Sequence, residues 1–172
     1  GRVSATAGAT WQINHDATTA TATIAGIEAT DNNTGSFEIS RCFSPFDTSA
    51  LPNTIVSRDS GFVRLVASGS SFTNNSSTAL HIVDSTQASN TALVNDDYDN
   101  IGTTTYGNIA LSAWVNTDGA NNDIALSASG LLQVSLTGFT PLAQRLNNDR
   151  TNSAPTATHE SNLFIRYKHI FR

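Results

Sequence analysis

Methionine is absent from this 172-residue chain, cysteine and lysine occur once each, and charged residues make up only 13% of it. Each shortage excludes something. The lone Cys42 rules out an intrachain disulfide framework, and its place between Arg41 and Phe43 in an expected strand reads as a buried, inert thiol. A reactive pair with His15, His81 or His159 has no local motif behind it. The charge share is about half that of an ordinary soluble domain. Net charge is −5, the one lysine is Lys168, and the arginines are scattered, so a nucleic-acid partner is not expected. The locally basic end, Arg166 to Arg172, reads as a last strand with alternating faces. No apolar run reaches the length of a membrane-spanning helix, so membrane insertion is not expected, and no signal peptide is visible. A chain that starts at Gly1 with no methionine reads as a processed product or a piece of a longer protein.

Thr, Ser, Asn and Ala take the place of charge. Clusters of Gly, Ser, Asn and Asp punctuate short β-prone runs, the pattern of a sandwich or barrel. Expected strands are Thr10–Asn14, Thr21–Ile27, Ser36–Phe46, Gly61–Ala67, Ala79–Asp84, Asn108–Trp114, Asp123–Ser127, Thr140–Leu146 and Asn162–Ile170. Alternation is clearest where Phe62, Arg64 and Val66 oppose Val63, Leu65 and Ala67. Helix is scarce: Ser129–Leu136 reads as a short helix ended by Gly138, and Val94–Asp99 as a single turn. Asp31–Gly35, Ser68–Ser77 and Asn147–His159 read as polar loops. The whole of 1–172 reads as one β-sandwich domain, with 1–34 either its first strands or an N-terminal arm.

One segment, Arg41-Cys42-Phe43-Ser44-Pro45-Phe46-Asp47-Thr48-Ser49-Ala50-Leu51-Pro52, is a strand running into a turn. Asp47, Thr48 and Ser49 supply short side chains that bond nearby backbone. This segment resembles the R-x-F-x-x-F-D-T-S-x-L-P signature of the DNRLRE-type, disaggregatase-related jelly-roll domains. Further pieces follow in that family's order: Asn95 to Gly102, Asn122 to Leu131, Thr137 to Thr140, Arg145 to Asp149, and Asn152 to Thr156. The resemblance covers about Ser36 to Tyr167. It implies an antiparallel β-sandwich of jelly-roll type with at most one or two short helical turns. It also implies a setting in phage tail and virion proteins or in extracellular glycan-active proteins. Arg41, Phe43, Phe46 and Asp47 are its structural motif, and Arg41 and Arg145 match family positions. Paired with Asp47 or Asp149, these arginines are structural; otherwise they are groups that grip an acidic sugar.

No metalloprotease, nucleophile-elbow, P-loop or dinucleotide motif is present, and the only glutamates, Glu28, Glu38 and Glu160, have no motif partner. An enzyme is therefore not expected. Asp96, Asp97 and Asp99 are the best candidates for a structural calcium, the one cofactor considered. Their spacing is not that of an EF-hand, and the alternative is a turn in which Asp96 caps and Tyr98 buries its ring. Asp118 to Asp123 reads as a hairpin loop. For a glycan-binding face the candidates are Trp11, Arg64 and Tyr106, an aromatic surface with a planar cation beside it; Trp114 reads as core. Asn32-Asn33-Thr34, Asn74-Asn75-Ser76 and Asn75-Ser76-Ser77 match the N-glycosylation pattern.

The expected function is a non-catalytic structural component of a virion or phage tail surface. It would assemble with copies of itself and with other virion or surface proteins, and could present a receptor- or glycan-binding face. A carbohydrate-binding module of an extracellular polysaccharide-active protein is the first alternative, and an architectural subunit of a cell-surface layer or filament the second. The expected location is the virion or the extracellular space.

Overall fold

A computed structural model describes residues 2–8, 12, 15–20, 22–24, 27–31, 37–52, 58–68, 71–73, 79–154, 160–163 and 165–171. Trp11, the three N-glycosylation matches and His159 lie outside the described residues, as does the expected strand Thr10–Asn14 apart from Gln12. Among the described residues there are twelve strands: β1 (Arg2–Gly8), β2 (Ala22–Ile24), β3 (Ile27–Asp31), β4 (Phe37–Asp47), β5 (Phe62–Ala67), β6 (Ser71–Thr73), β7 (Ala79–Ser85), β8 (Ile101–Ala110), β9 (Asn121–Ala125), β10 (Phe139–Leu146), β11 (Glu160–Leu163) and β12 (Ile165–Phe171). Helix among the described residues is confined to short pieces, chiefly α-helical Ala128–Gln133 and Asn147–Arg150 and the 3-10 turns Asn95–Asp99 and Leu111–Ala113.

The strands form a nine-stranded and a three-stranded sheet, with every pairing antiparallel. Their order follows from one nested ribbon. β7 pairs with β8, β5 with β9 outside it, and β4 with β10 outside that. Rolling this ribbon sideways brings β10 onto β7 and β12 onto β5. The outcome is β4-β10-β7-β8 in one sheet and β12-β5-β9 in the other, the jelly-roll winding. Beyond β4, the large sheet continues through β3, β11 and β6 on one side and β1 and β2 on the other. The Ala- and Thr-rich start of the chain thus supplies strands: β1 runs antiparallel along Phe37–Phe43 of β4.

The burial rhythm of each strand reports what covers it. β5 and β9 alternate strictly, with Val63, Leu65, Ala67, Asn122 and Ile124 inward and Phe62, Arg64, Val66, Asn121, Asp123 and Ala125 outward. β7 and β10 are buried almost continuously instead. They lie mid-sheet with both faces covered, as such runs require. Between the sheets, Leu65, Leu80, Ile82, Ile124, Leu142 and Leu146 are almost fully buried. A smaller cluster, Phe43, Val83, Leu93 and Ala143 with Ile101, is separate from that core. Phe43 and Phe46, three apart on β4, accordingly serve different clusters, Phe46 joining the main core. Where β8 meets β9 at the corner, Gly107 permits close approach: a Cβ there would stand 2.4 Å from the Ala125 carbonyl oxygen.

Several boundaries differ from expectation. β8 begins at Ile101, not Asn108, because Gly102 and the Thr103–Thr105 run look like loop until pairing with β7 gives them a ladder. The last expected strand divides into β11 and β12, which belong to different sheets. Ser68–Ser77 contains β6, held by β11, and Asn147–His159 opens with a helical turn.

Candidate functional site

Two bidentate arginine–aspartate pairings dominate the polar chemistry. The first is buried. Arg41 on β4 and Arg145 on β10 sit on neighbouring strands, a juxtaposition of like charges that needs a carboxylate. Asp149 supplies it. The chain leaves β10 at Leu146 and makes one helical turn, which carries Asp149 back over Arg145, four residues earlier. Arg41 donates from Nε and Nη2 to the two Asp149 oxygens at 3.0 and 2.8 Å, and Arg145 does the same at 2.7 and 2.8 Å. The side chains of Arg41 and Asp149 are each only 2% exposed.

The remaining donors tie loops to this centre. Arg41 donates to the carbonyls of Tyr98 and His15, and Arg145 to those of Gly102 and Asp149. His15 Nε2 donates to the Asp149 carbonyl at 3.0 Å. The Arg41 guanidinium lies 4.1 Å from the centre of the Tyr98 ring. Burial alone would raise the Asp149 pKa, but the charges and hydrogen bonds of Arg41 and Arg145 outweigh it and hold the carboxyl at about 2. Desolvation pulls Arg41 down, and Asp149, Tyr98 and Asp99 more than compensate, so its pKa is raised. The buried cluster therefore stays ionised, with two cations, one anion, and the exposed Asp99 acting on Arg41 from outside.

The second pairing is at the surface. Arg64 on β5 donates from Nε and Nη2 to Asp123 on β9 at 2.6 and 2.7 Å, with side-chain exposures of 29% and 42%. The Arg64 guanidinium lies 5.4 Å from the centre of the Phe62 ring on the same strand face.

The expected residues distribute unevenly over these features. The pairing of Arg41 and Arg145 is with Asp149, one of the two partners considered. Asp47 is not that partner: it is exposed and accepts from the Ser49 hydroxyl and backbone N–H, which lower its pKa in that order. Thr48 instead supplies the buried bond of this turn, to the Gly138 carbonyl at 2.7 Å. Asp96, Asp97 and Asp99 do not converge, and among the described residues no group of three or more His, Cys, Asp or Glu side chains could hold a metal ion. Asp97, not Asp96, organises the turn. It is buried and accepts from the N–H groups of Ala88 and Val94 at 2.8 and 2.9 Å, while Asp96 accepts from Thr19. The Tyr98 ring is buried, as the turn reading has it.

Arg64 and Tyr106 do not meet. Arg64 points outward from the small sheet, whereas Tyr106 is buried in the core between the sheets, where burial and Asp84 raise its pKa. Its ring is no platform for a sugar. Trp114 is core and Cys42 is buried. Arg58 caps the helix Ala128–Gln133 by donating to the Leu131 and Leu132 carbonyls. Gly119 takes a left-handed φ of 82° in the tight turn before β9.

Two roles escaped sequence reasoning. Asp123 stands where the expected hairpin loop meets the expected strand Asp123–Ser127, and nothing local marks it as the partner of Arg64, 59 residues away. His81 is buried on β7 with Nδ1 facing the Thr105 hydroxyl at 3.1 Å; burial first, and Arg150 second, push its pKa down to about 4, against a hydrogen bond with Asn147 that favours the protonated ring. Comparison with protein-family models, curated proteins and solved structures finds no match.

Proposed function

We propose that this chain is a non-catalytic structural subunit of a virion or phage tail surface, assembling with copies of itself and with other virion or surface proteins. The observation that supports this reading is the buried Arg41–Asp149–Arg145 tie. It commits two of the chain's eight arginines to clamping His15, Tyr98, Gly102 and the 147–150 turn onto one sheet. Side chains that could do surface chemistry are used for rigidity, which suits a subunit whose task is to hold shape. The segment that carries the family resemblance, Arg41 to Pro52, contributes one arm of this tie and a turn stabilised by Asp47 and Thr48.

The test is physical. Material from the native source is examined by electron microscopy, and the isolated chain by sedimentation. Incorporation in a particle and self-association at micromolar concentration are expected. A monomer absent from any particle would sink the assembly reading, and release of reducing ends from a glycan would make the chain an enzyme. The reading as a carbohydrate-binding module draws its support from a different place, the Arg64–Asp123 pair beside Phe62.

A further inference from the structure

His81 on β7 stands in a register row of the large sheet, with Arg145 of β10 on one side and Asn108 of β8 on the other. The helical turn Asn147–Arg150 lies beside this row. Its Asp149 holds Arg41 and Arg145, while its Asn147 and Arg150 are close enough to act on the His81 ring. Charge around the ring is one-sided. Among the described residues its charged neighbours are Arg145, the register partner, and Arg150; β8 brings only Thr105 and Asn108. The nearby carboxylate has no spare capacity. Each Asp149 oxygen already accepts from both Arg41 and Arg145, which uses the roughly four lone-pair sites of a carboxylate. Asp84, three residues along β7, belongs to the other face of the sheet, where it acts on Tyr106. A proton on His81 therefore adds a cation beside two arginines, at a position only 8% exposed, with no carboxylate free to match it.

We propose that the Asn147–Arg150 turn is an acid-sensitive latch: protonation of His81 favours the turn swinging outward, which hydrates the ring and loosens the hold of Asp149 on Arg41 and Arg145. The way out is open, since Thr151 and Asn152 are exposed and Asn147 and Arg150 are half-buried. The bonds that close the turn are few and local: the Thr151 N–H donates to the Asn147 carbonyl and the Ser153 N–H to the Asn148 carbonyl, both at 2.9 Å. The sign follows from the closed state, where burial and Arg150 hold the His81 pKa at about 4, against 6.5 for a hydrated histidine. Opening is thus promoted progressively as pH falls from 6.5 toward 4. The same movement takes away the Asp149 carbonyl to which His15 donates, so the loop at His15 loosens with the turn.

This inference goes beyond the function proposed above and does not rest on self-assembly. The experiment is amide hydrogen exchange on the folded chain at a series of pH values, each rate corrected for intrinsic exchange. The opening equilibrium read at the Thr151 and Ser153 amides is expected to rise roughly a hundredfold between neutral pH and pH 4. The Val134 amide, which closes the helix Ala128–Gln133, serves as the local control and should change little. His81→Gln should abolish the rise at Thr151 and Ser153. Arg150→Gln, which keeps the histidine and removes one neighbouring cation, should reduce the rise without abolishing it. A pH-independent opening at Thr151 and Ser153, an equal rise in His81→Gln, or exchange of these amides only together with the buried amides of β7 would overturn the proposal.

Discussion

The same interaction occurs twice in this molecule and does different work each time. Arg41–Asp149–Arg145 and Arg64–Asp123 are both bidentate forks with bonds between 2.6 and 3.0 Å. The buried cluster joins two strands, a helical turn and two loops; the surface pair joins two strands that are already hydrogen-bonded neighbours. Geometry alone therefore does not set the worth of an ion pair. The buried charges have lost water and depend on one another, so removing one exposes the full desolvation cost. The surface charges remain in contact with water, which replaces whichever partner is lost.

Asp149→Ala breaks the comparison hardest, because it leaves two guanidinium groups buried without a counter-charge. A loss of about 3–5 kcal/mol is expected from denaturant unfolding. A loss below about 1 kcal/mol would mean that water reaches the cluster and that the two forks are alike. Arg41→Met sharpens the point. It leaves Arg145 and Asp149 as a balanced pair, and should cost less, roughly 1–3 kcal/mol. A larger penalty than for Asp149→Ala would show that packing on Tyr98, not charge balance, governs the cluster.

The pH dependence separates the buried groups from each other. His81 has a folded pKa of about 4, below the ordinary histidine value of 6.5, so the folded state resists a proton that the unfolded chain accepts. Stability is full above 6.5 and falls as pH drops from there toward 4. Asp149 has a folded pKa of about 2 against 3.8, so its contribution is present above 3.8 and is lost as pH falls through 2. Melting temperature should thus decline in two steps. His81→Gln should flatten the upper step and spare the lower one; a variant that leaves both unchanged refutes the assignment.

At the surface, Arg64→Gln and Asp123→Asn should leave the unfolding midpoint within error of the parent, even though the bonds they remove are as short as the buried ones. A clear loss of stability from either would show that the surface fork also holds the sheet together. The smallest effect belongs to Asp47→Ala, which removes a bond inside one exposed turn; faster hydrogen exchange at the Ser49 amide, with little change in melting, is the expected signature.

Much of the fold was legible along the chain. The alternation of Phe62 to Ala67 divided the strand into the two faces that the sheet presents, and the segment from Phe43 to Thr48 announced both a strand and the turn that closes it. The Val94–Asp99 turn was legible too, down to a buried Tyr98, though the organising carboxylate proved to be Asp97. The candidate sites were far less legible. Tyr106 looked like a surface aromatic because Thr103–Thr105 and Asn108 around it are polar, yet it lies where the chain bulges against β7 and joins the core. The three acidic residues considered for calcium illustrate a related limit: adjacency in sequence placed three carboxylates together, and the turn sent them to separate partners.

What the sequence determined by itself was local: which stretches are extended, which residues turn the chain, and which residues of β5 share a face. Those properties depend on a two-residue period and on backbone preferences that neighbours along the chain set. What only the tertiary structure decided was partnership. That β5 lies between β9 and β12, that Arg64 meets Asp123, and that Arg41 and Arg145 share one carboxylate all depend on closing long loops of chain. A strand's period fixes the face it presents but carries no label for the strand that pairs with it.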